Sequence, residues 1–413
     1  MPEFRHTRLP NGLDVIGEIN PDALSVGIGY FVKTGARDET AELSGCTHFL
    51  EHMMFKGTGR RTTFDINREF DEIGADPNAY TSNEATVYYG TVLPEFLPRA
   101  VDLLSDMMRP ALRQKDFDDE KQVILNEIAM YLDQPDFDVF DRAMTAYFGD
   151  HPLGQSVLGT RESITALTRD QMMEYFRRRY SAGNITVAAA GNFDFDLLVE
   201  EVRRTAGHWE AGTPPRARPA ARGTGRTIAL ARDPAKVSRE HVAMLCSGPA
   251  DQDPLRFAAD ILAAVIGDRT GSRLYWALVD RGVVEDASMG HRGFDGTGVF
   301  EIYVNADPDN VGEALSTVRR ILDDVQERGV TTAELELAKT KHASSEVIAG
   351  ETPRGRLFPC GGNWMYRGEY RSVADDLAAI RAVTLDDIRT VLDRRPFDDL
   401  TTVALGPLEK LPG

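Results

Sequence analysis

Cysteine is scarce in this chain. Cys46, Cys246 and Cys360 stand far apart and odd in number, which excludes a disulfide framework and fits a reducing compartment. Cys46 lies two residues before His48 without ligand-like spacing, so it reads as a small buried hydrophobe. Long apolar runs are missing too, and without about 18 consecutive apolar residues no spanning helix is expected. The start, Met1-Pro2-Glu3-Phe4-Arg5-His6, has neither the apolar core of a signal peptide nor an Arg- and Ser-rich leader, so the expected location is the cytoplasm, with no membrane partner. Positive charge is in deficit. There are 47 Lys and Arg against 65 Asp and Glu, a formal net charge of -18, which excludes nucleic acid, whose phosphates need a basic surface. The acidic balance serves solubility first, and steering of basic peptides is its other reading. What remains is ordinary for a soluble globular protein, 42% hydrophobic and 27% charged, and 413 residues suggest two or more domains.

Against that background one segment stands out: His48-Phe49-Leu50-Glu51-His52. On a helix, residues four apart share a face, with Cβ atoms about 5–6 Å from one another. Both imidazoles can then reach one zinc at about 2.0–2.1 Å. Glu51, three residues after His48, points to the same side, where it can reach a water at the metal. The order His-x-x-Glu-His inverts the commoner zinc motif and is itself a zinc-peptidase signature. Phe49, Leu50, Met53, Met54 and Phe55 surround the polar residues with apolar ones, and Lys56-Gly57-Thr58-Gly59 stops the helix. A helix with two solvated histidines is the plainer alternative. His151, His208, His241, His291 and His342 have no metal-like spacing and read as structural or surface residues.

A zinc site open to water needs a third protein ligand. The candidate is Glu127, in Glu120-Lys121-Gln122-Val123-Ile124-Leu125-Asn126-Glu127. Glu120 and Glu127 are two helical turns apart and face one way. Carboxylates so placed more often mark a solvated helix face, so the spacing leaves both roles open.

The chain falls into two similar halves. In residues 1–209, strands are expected at Leu13–Val15, Leu24–Val32, Thr86–Leu93 and Ile185–Ala190, with helices near 45–56, 64–73, 95–108, 115–132 and 195–206. Residues 210–226, with three prolines and several arginines, read as an exposed, semi-extended linker. In residues 227–413 the plan repeats: strands at His241–Cys246, Val299–Asn305 and Thr401–Ala404, and helices at Leu255–Ile266, Arg273–Val279, Asn310–Arg328 and Thr332–Ala349. The second half carries no His-Glu-His cluster, so one half is expected to hold metal and the other to help enclose substrate.

Taken together, the His48–His52 motif, Met54-Phe55-Lys56-Gly57-Thr58, and Glu120 and Glu127 at this distance resemble the pitrilysin-type zinc peptidases. That family includes insulin-degrading enzyme and the mitochondrial processing peptidase, and the short bacterial processing-peptidase-like type is the nearest in pattern. Asn78-Ala79-Tyr80-Thr81-Ser82, Tyr88-Tyr89, Gly191-Asn192-Phe193-Asp194 and Ser272-Arg273-Leu274-Tyr275 also match. The resemblance spans nearly the whole chain, strongest over 40–135 and weak after about 290. It implies an α+β fold of two structurally similar halves, each a mainly antiparallel sheet with helices packed on it, forming a clamp around a peptide. It implies one zinc held by His48, His52 and Glu127, Glu51 as general base and Glu120 behind the ligands. It also implies that Asn78-Ala79-Tyr80-Thr81 forms an edge strand that pairs with peptide backbone, with Asn78, Ala79 and Tyr80 as the substrate-binding residues.

One departure matters. Family members with a complete site carry an arginine and a tyrosine shortly after the Ser-Arg-Leu segment. Here those places fall on Leu278 or Val279 and on Glu285, and Arg281 is out of register. The expectation is therefore a zinc endopeptidase acting as a homodimer or heterodimer, with a related subunit supplying the missing pair. A non-catalytic scaffold or assembly subunit of the same fold is the runner-up.

Overall fold

The computed structural model describes residues 2–219, 221 and 223–412. Ala220 and Arg222, inside the expected linker, lie outside the described residues, as do Met1 and Gly413. The first part of the chain holds strands β1 (Glu3–Arg8), β2 (Asp14–Ile19), β3 (Val26–Val32), β4 (Asn78–Thr81), β5 (Thr86–Val92) and β6 (Ile185–Gly191). Its helices are α1 (Cys46–Met54), α2 (Thr63–Glu72), α3 (Leu97–Met107), α4 (Gln114–Leu132), α5 (Pro135–Phe148), α6 (Arg161–Ala166), α7 (Arg169–Arg179) and α8 (Phe195–Ala206). The second part holds β7 (Thr227–Ala231), β8 (Glu240–Gly248), β9 (Asp286–Phe294), β10 (Thr297–Ala306) and β11 (Thr401–Gly406). With them run α9 (Arg256–Gly267), a π-helical turn at Tyr275–Val279, α10 (Val311–Arg328), α11 (Thr332–Gly350), α12 (Pro353–Arg367), α13 (Val373–Ala382) and α14 (Leu385–Asp393).

The two sheets share one topology. The first runs β1-β2-β6-β3-β5-β4 and the second β7-β11-β8-β10-β9. Leaving out β1, each strand of the first has its counterpart five strands later. Both are antiparallel but for one pair, β2 with β6 and β7 with β11. Strand position follows composition. Val-Gly-Ile-Gly-Tyr-Phe-Val in β3 and Ile-Thr-Val-Ala-Ala-Ala-Gly in β6 are buried along their whole length and sit mid-sheet, as strands covered on both faces must. β4 alternates exposed and half-buried residues and closes the sheet as an edge.

The halves exchange a helix. One compact unit comprises Met1–Ile128, Gln155–Ala217 and Val347–Ser372, the other Ala129–Gly154, Arg218–Glu346 and Val373–Gly413. Hence α12, late in the chain, covers the first sheet: Leu357 and Cys360 pack with Ile16, Phe31, Val87 and Ala188. In turn α5, from the early part, covers the second sheet, where Val139, Ala143 and Tyr147 pack with Leu245, Val299 and Val403. A division at 1–209 and 227–413 separates each helix from the sheet it covers. The described part of the linker has no helix or strand and is largely exposed. Arg216 is the exception: its side chain is buried, pairing with Asp38 through Nε (3.0 Å) and Nη2 (2.5 Å). Among the described residues no helix is long and apolar enough to cross a membrane.

Candidate metal centre

The helix α1 starts at a defined place for two reasons. Gly45 stands before it at φ +86, and a Cβ there would lie 2.5 Å from the Leu158 carbonyl oxygen, so only glycine fits. The Glu39 carboxylate accepts from the N–H groups of Gly45 (2.8 Å) and Thr47 (2.6 Å), satisfying donors that the helix end leaves open. Burial pushes this carboxyl up to about 8, against the opposing hydrogen bonds from Thr47 and Gly45. Cys46, Phe49, Leu50, Met53 and Met54 turn into the core. Phe49 stacks on Phe117 of α4 with ring centroids 4.7 Å apart. In α4, Phe117, Glu120, Ile124 and Ile128 form the buried stripe, at helical spacing. The polar residues at this seam meet as a consequence.

His48 Nε2 lies 3.8 Å from Glu127 Oε1, and His52 Nε2 lies 3.4 Å from Glu127 Oε2. One ligand atom from each of the three lies within 4.8 Å of the others, and no second such group occurs among the described residues. A tetrahedral ion with bonds of about 2.0–2.1 Å separates its ligand atoms by about 3.4 Å. The donor set and spacing therefore fit a zinc ion. His52 Nδ1 lies 2.9 Å from Glu120 Oε1, and Glu120 Oε2 pairs with Lys56 Nζ at 2.6 Å. A carboxylate on Nδ1 leaves Nε2 as the lone-pair nitrogen. His48 Nδ1 is buried and has no hydrogen-bond partner.

Electrostatics separate the groups. Burial, then neighbouring His52, lower His48 to about 3, so it is the neutral imidazole that a metal needs. Burial also works to lower His52, but the Glu120 hydrogen bond and the charges of Glu51 and Glu127 outweigh it and raise the ring. Burial would raise Glu120, yet its bonds to His52 and Lys56 hold it below the ordinary value. Glu127 is raised by burial, with His52 opposing. Glu51 is likewise raised by burial, opposed by a hydrogen bond from Thr81 and by His52. The Thr81 hydroxyl donates to Glu51 Oε2 at 2.8 Å.

Thr81 closes β4, which pairs with β5 from Asn78↔Tyr89 to Thr81↔Thr86 and has no strand on its other side among the described residues. Asn78 is exposed and its Oδ1 accepts from the Ala79 N–H at 2.8 Å. Ala79 is half-buried, and Tyr80, 40% exposed, lies near Phe358 with centroids 5.9 Å apart. Sequence reasoning placed Thr81 on the peptide-pairing strand and Lys56 at a helix stop, and foresaw neither the contact of Thr81 with Glu51 nor that of Lys56 with Glu120. Lys56 read as the end of a helix and Thr81 as the end of a strand, and only tertiary contact shows what each touches. In the other unit, Leu278 is buried in the core, Val279 packs against it, and Glu285 pairs with Arg239 at 3.0 Å.

A repeated α+β plan, with an inverted His-x-x-Glu-His helix in one repeat and no counterpart in the other, defines the class of inverted-motif zinc-peptidase folds. Comparison with known proteins places the chain within it. Residues 14–161 match the insulinase family (peptidase family M16), and residues 166–341 match the peptidase M16 inactive domain. An uncharacterized zinc protease of Streptomyces coelicolor is 36% identical over 98% of this chain and 90% of its own length. A probable mitochondrial-processing peptidase subunit beta of Arabidopsis thaliana is 29% identical over 100% of this chain and 80% of its own. Among solved structures, a protease from Helicobacter pylori superposes with a TM-score of 0.91 at 21% identity, covering 98% of this chain and 100% of that one. The chain belongs to peptidase family M16.

Proposed function

We propose that the protein is a zinc metalloendopeptidase that cuts peptides or unfolded protein segments, with one zinc per chain, and that a related subunit completes its site. The observation that carries this reading is the convergence of His48, His52 and Glu127 beside Glu51, next to a strand edge that no described residue pairs with. His48, His52 and Glu127 would hold the ion. When bound, zinc supplies a Lewis acid and lowers the pKa of its water to about 7. Glu51 then takes the proton of the attacking water and delivers it to the leaving amine. Glu120 holds His52 by its other ring nitrogen, and Lys56 keeps Glu120 charged. The edge of β4 offers main-chain groups to an extended peptide, a mode of binding tolerant of sequence. Asn78, Ala79 and Tyr80 would line that peptide.

The partner is proposed because the places of the arginine and tyrosine fall here on Leu278 or Val279 and on Glu285, of which Leu278 is buried in the core and Glu285 makes a surface pair with Arg239. The same observation favours the second reading, a scaffold subunit. One experiment separates them: hydrolysis of a quenched fluorescent basic peptide, with bound metal quantified, for the wild-type chain and Glu51→Gln. Activity with about one zinc per chain, falling by about 10²–10⁴ in the variant while zinc stays, is expected of the peptidase. Full activity in a homogeneous single chain removes the need for a partner. Zinc without activity, alone and with any related subunit added, leaves the scaffold.

A further inference from the structure

The hydrogen bond between Thr81 and Glu51 joins two parts of the proposed site that otherwise belong to separate elements. Glu51 sits on α1. Thr81 is the last residue of β4, the strand whose outer edge is open. Resting on the peptidase reading, we propose that Thr81 is a positioning residue that couples occupation of the β4 edge to the orientation of Glu51.

The chemistry is specific. A carboxylate only accepts hydrogen bonds, so the Thr81 hydroxyl donates, and it does so to Oε2 at 2.8 Å. That bond occupies one carboxylate oxygen and leaves Oε1 to take a proton. It also fixes the terminal torsion of Glu51, which in a free glutamate is broad and roughly two-fold. The backbone carrying Thr81 is short: β4 has four residues and one neighbouring strand. Such an edge is among the less stable parts of a sheet. A peptide added along Asn78–Thr81 gives β4 a second ladder of main-chain bonds, orders its end, and holds the hydroxyl against Glu51. Binding energy from parts of the substrate remote from the cleaved bond is thereby spent on aligning the base, and it raises kcat in addition to lowering KM. The substrate class that follows is an extended peptide long enough to pair along all of β4, turned over faster than a shorter one with the same cleaved bond.

The test uses the zinc-loaded full-length chain, with its partner subunit if activity needs one. A nested series of quenched peptides shares one scissile bond and grows by one residue at a time to span β4. For the wild type, kcat is expected to rise with length until the peptide covers the strand. In Thr81→Val, which keeps the shape and removes the donor, kcat on the longest peptide is expected to fall about 10–100-fold, the usual effect of removing the partner behind an active group. Zinc content and KM should stay near wild type, and the length dependence of kcat should flatten. Thr81→Ser, which keeps the donor, should restore both level and slope. A Thr81→Val enzyme with unchanged kcat and an unchanged length profile overturns the coupling. So does a loss that serine fails to rescue, which would mark a packing role. If the wild type cuts nothing and equals Glu51→Gln, the peptidase reading fails and takes this inference with it. If Glu51→Gln loses activity while Thr81→Val keeps the wild-type kcat and length profile, only the inference fails.

Discussion

At the scale of single residues, the site is an arrangement of charges held from behind. His52 has Glu120 on its Nδ1, and Glu120 has Lys56 on its other oxygen. His48 has no such support and depends on packing. The two histidines of the candidate metal centre should therefore respond differently to substitution. Glu120→Ala and Lys56→Met are each expected to weaken zinc binding, Glu120→Ala by about 10–100-fold and Lys56→Met by less, since it acts through Glu120. Competition with a chromophoric chelator measures this directly, and unchanged affinity in both would remove the supporting role assigned to them. Much of this centre was legible beforehand. The spacing of His48, Glu51 and His52 is a local, helical fact. The pairing of Glu127 with them was open from spacing alone, because a carboxylate two turns along a helix says nothing about what that helix lies against. Lys56 and Thr81 lie in segments that carry the family resemblance, but nothing in the sequence told what either side chain touches, since a lysine at a helix end and a threonine in a strand are ordinary.

At the scale of elements, α12 shows packing overriding propensity. It contains Pro359 and glycines at 355, 361 and 362, residues that disfavour helix interiors. It forms because Thr352 caps it, because Arg356 makes a buried pair with Glu18 (2.7 Å), and because Leu357 and Cys360 bury against the first sheet. Gly361 is needed for close approach, since a Cβ there would stand 2.4 Å from the Phe31 ring. Gly361→Ala is expected to cost about 1–3 kcal/mol by overpacking, with part of that regained by adding Phe31→Leu; denaturant unfolding of the single and double variants checks it. The start of α11 makes a pH prediction. Burial would raise the Glu334 carboxyl, but Arg273 and the Thr331 N–H and hydroxyl outweigh it and hold it at about 2, against an ordinary 4.5. A carboxyl depressed by folding contributes stability that is fully present above its unfolded pKa and lost as pH falls through its folded one. Wild type should thus exceed Glu334→Gln in stability at neutral pH, and the gap should narrow between about pH 4.5 and pH 2. Urea unfolding of both proteins across that range measures the gap; a constant difference would contradict the assignment.

At the scale of the whole molecule, the exchange of α5 and α12 ties the halves of the chain together. A fragment of residues 1–209 keeps α5 without the sheet it covers and leaves the first sheet without α12. Each fragment would present a large apolar face to water. Residues 1–209 and 227–413 are therefore expected to be poorly folded alone and to recover structure when co-expressed. Near-UV circular dichroism of the fragments, separate and together, decides this, and a cooperatively folded 1–209 fragment would refute it. By itself the sequence determined what depends on neighbours in the chain. The metal-motif helix, the buried runs of β3 and β6, the long helices α10 and α11 and the recurrence of one plan all follow from local periodicity and turn residues. Tertiary structure alone decided which helix covers which sheet and which carboxylate meets which histidine. It also decided that a strand-end hydroxyl touches Glu51. The reason is physical: periodicity tells which face of an element seeks burial, whereas the partner for that face is chosen by shape and connectivity over the entire chain.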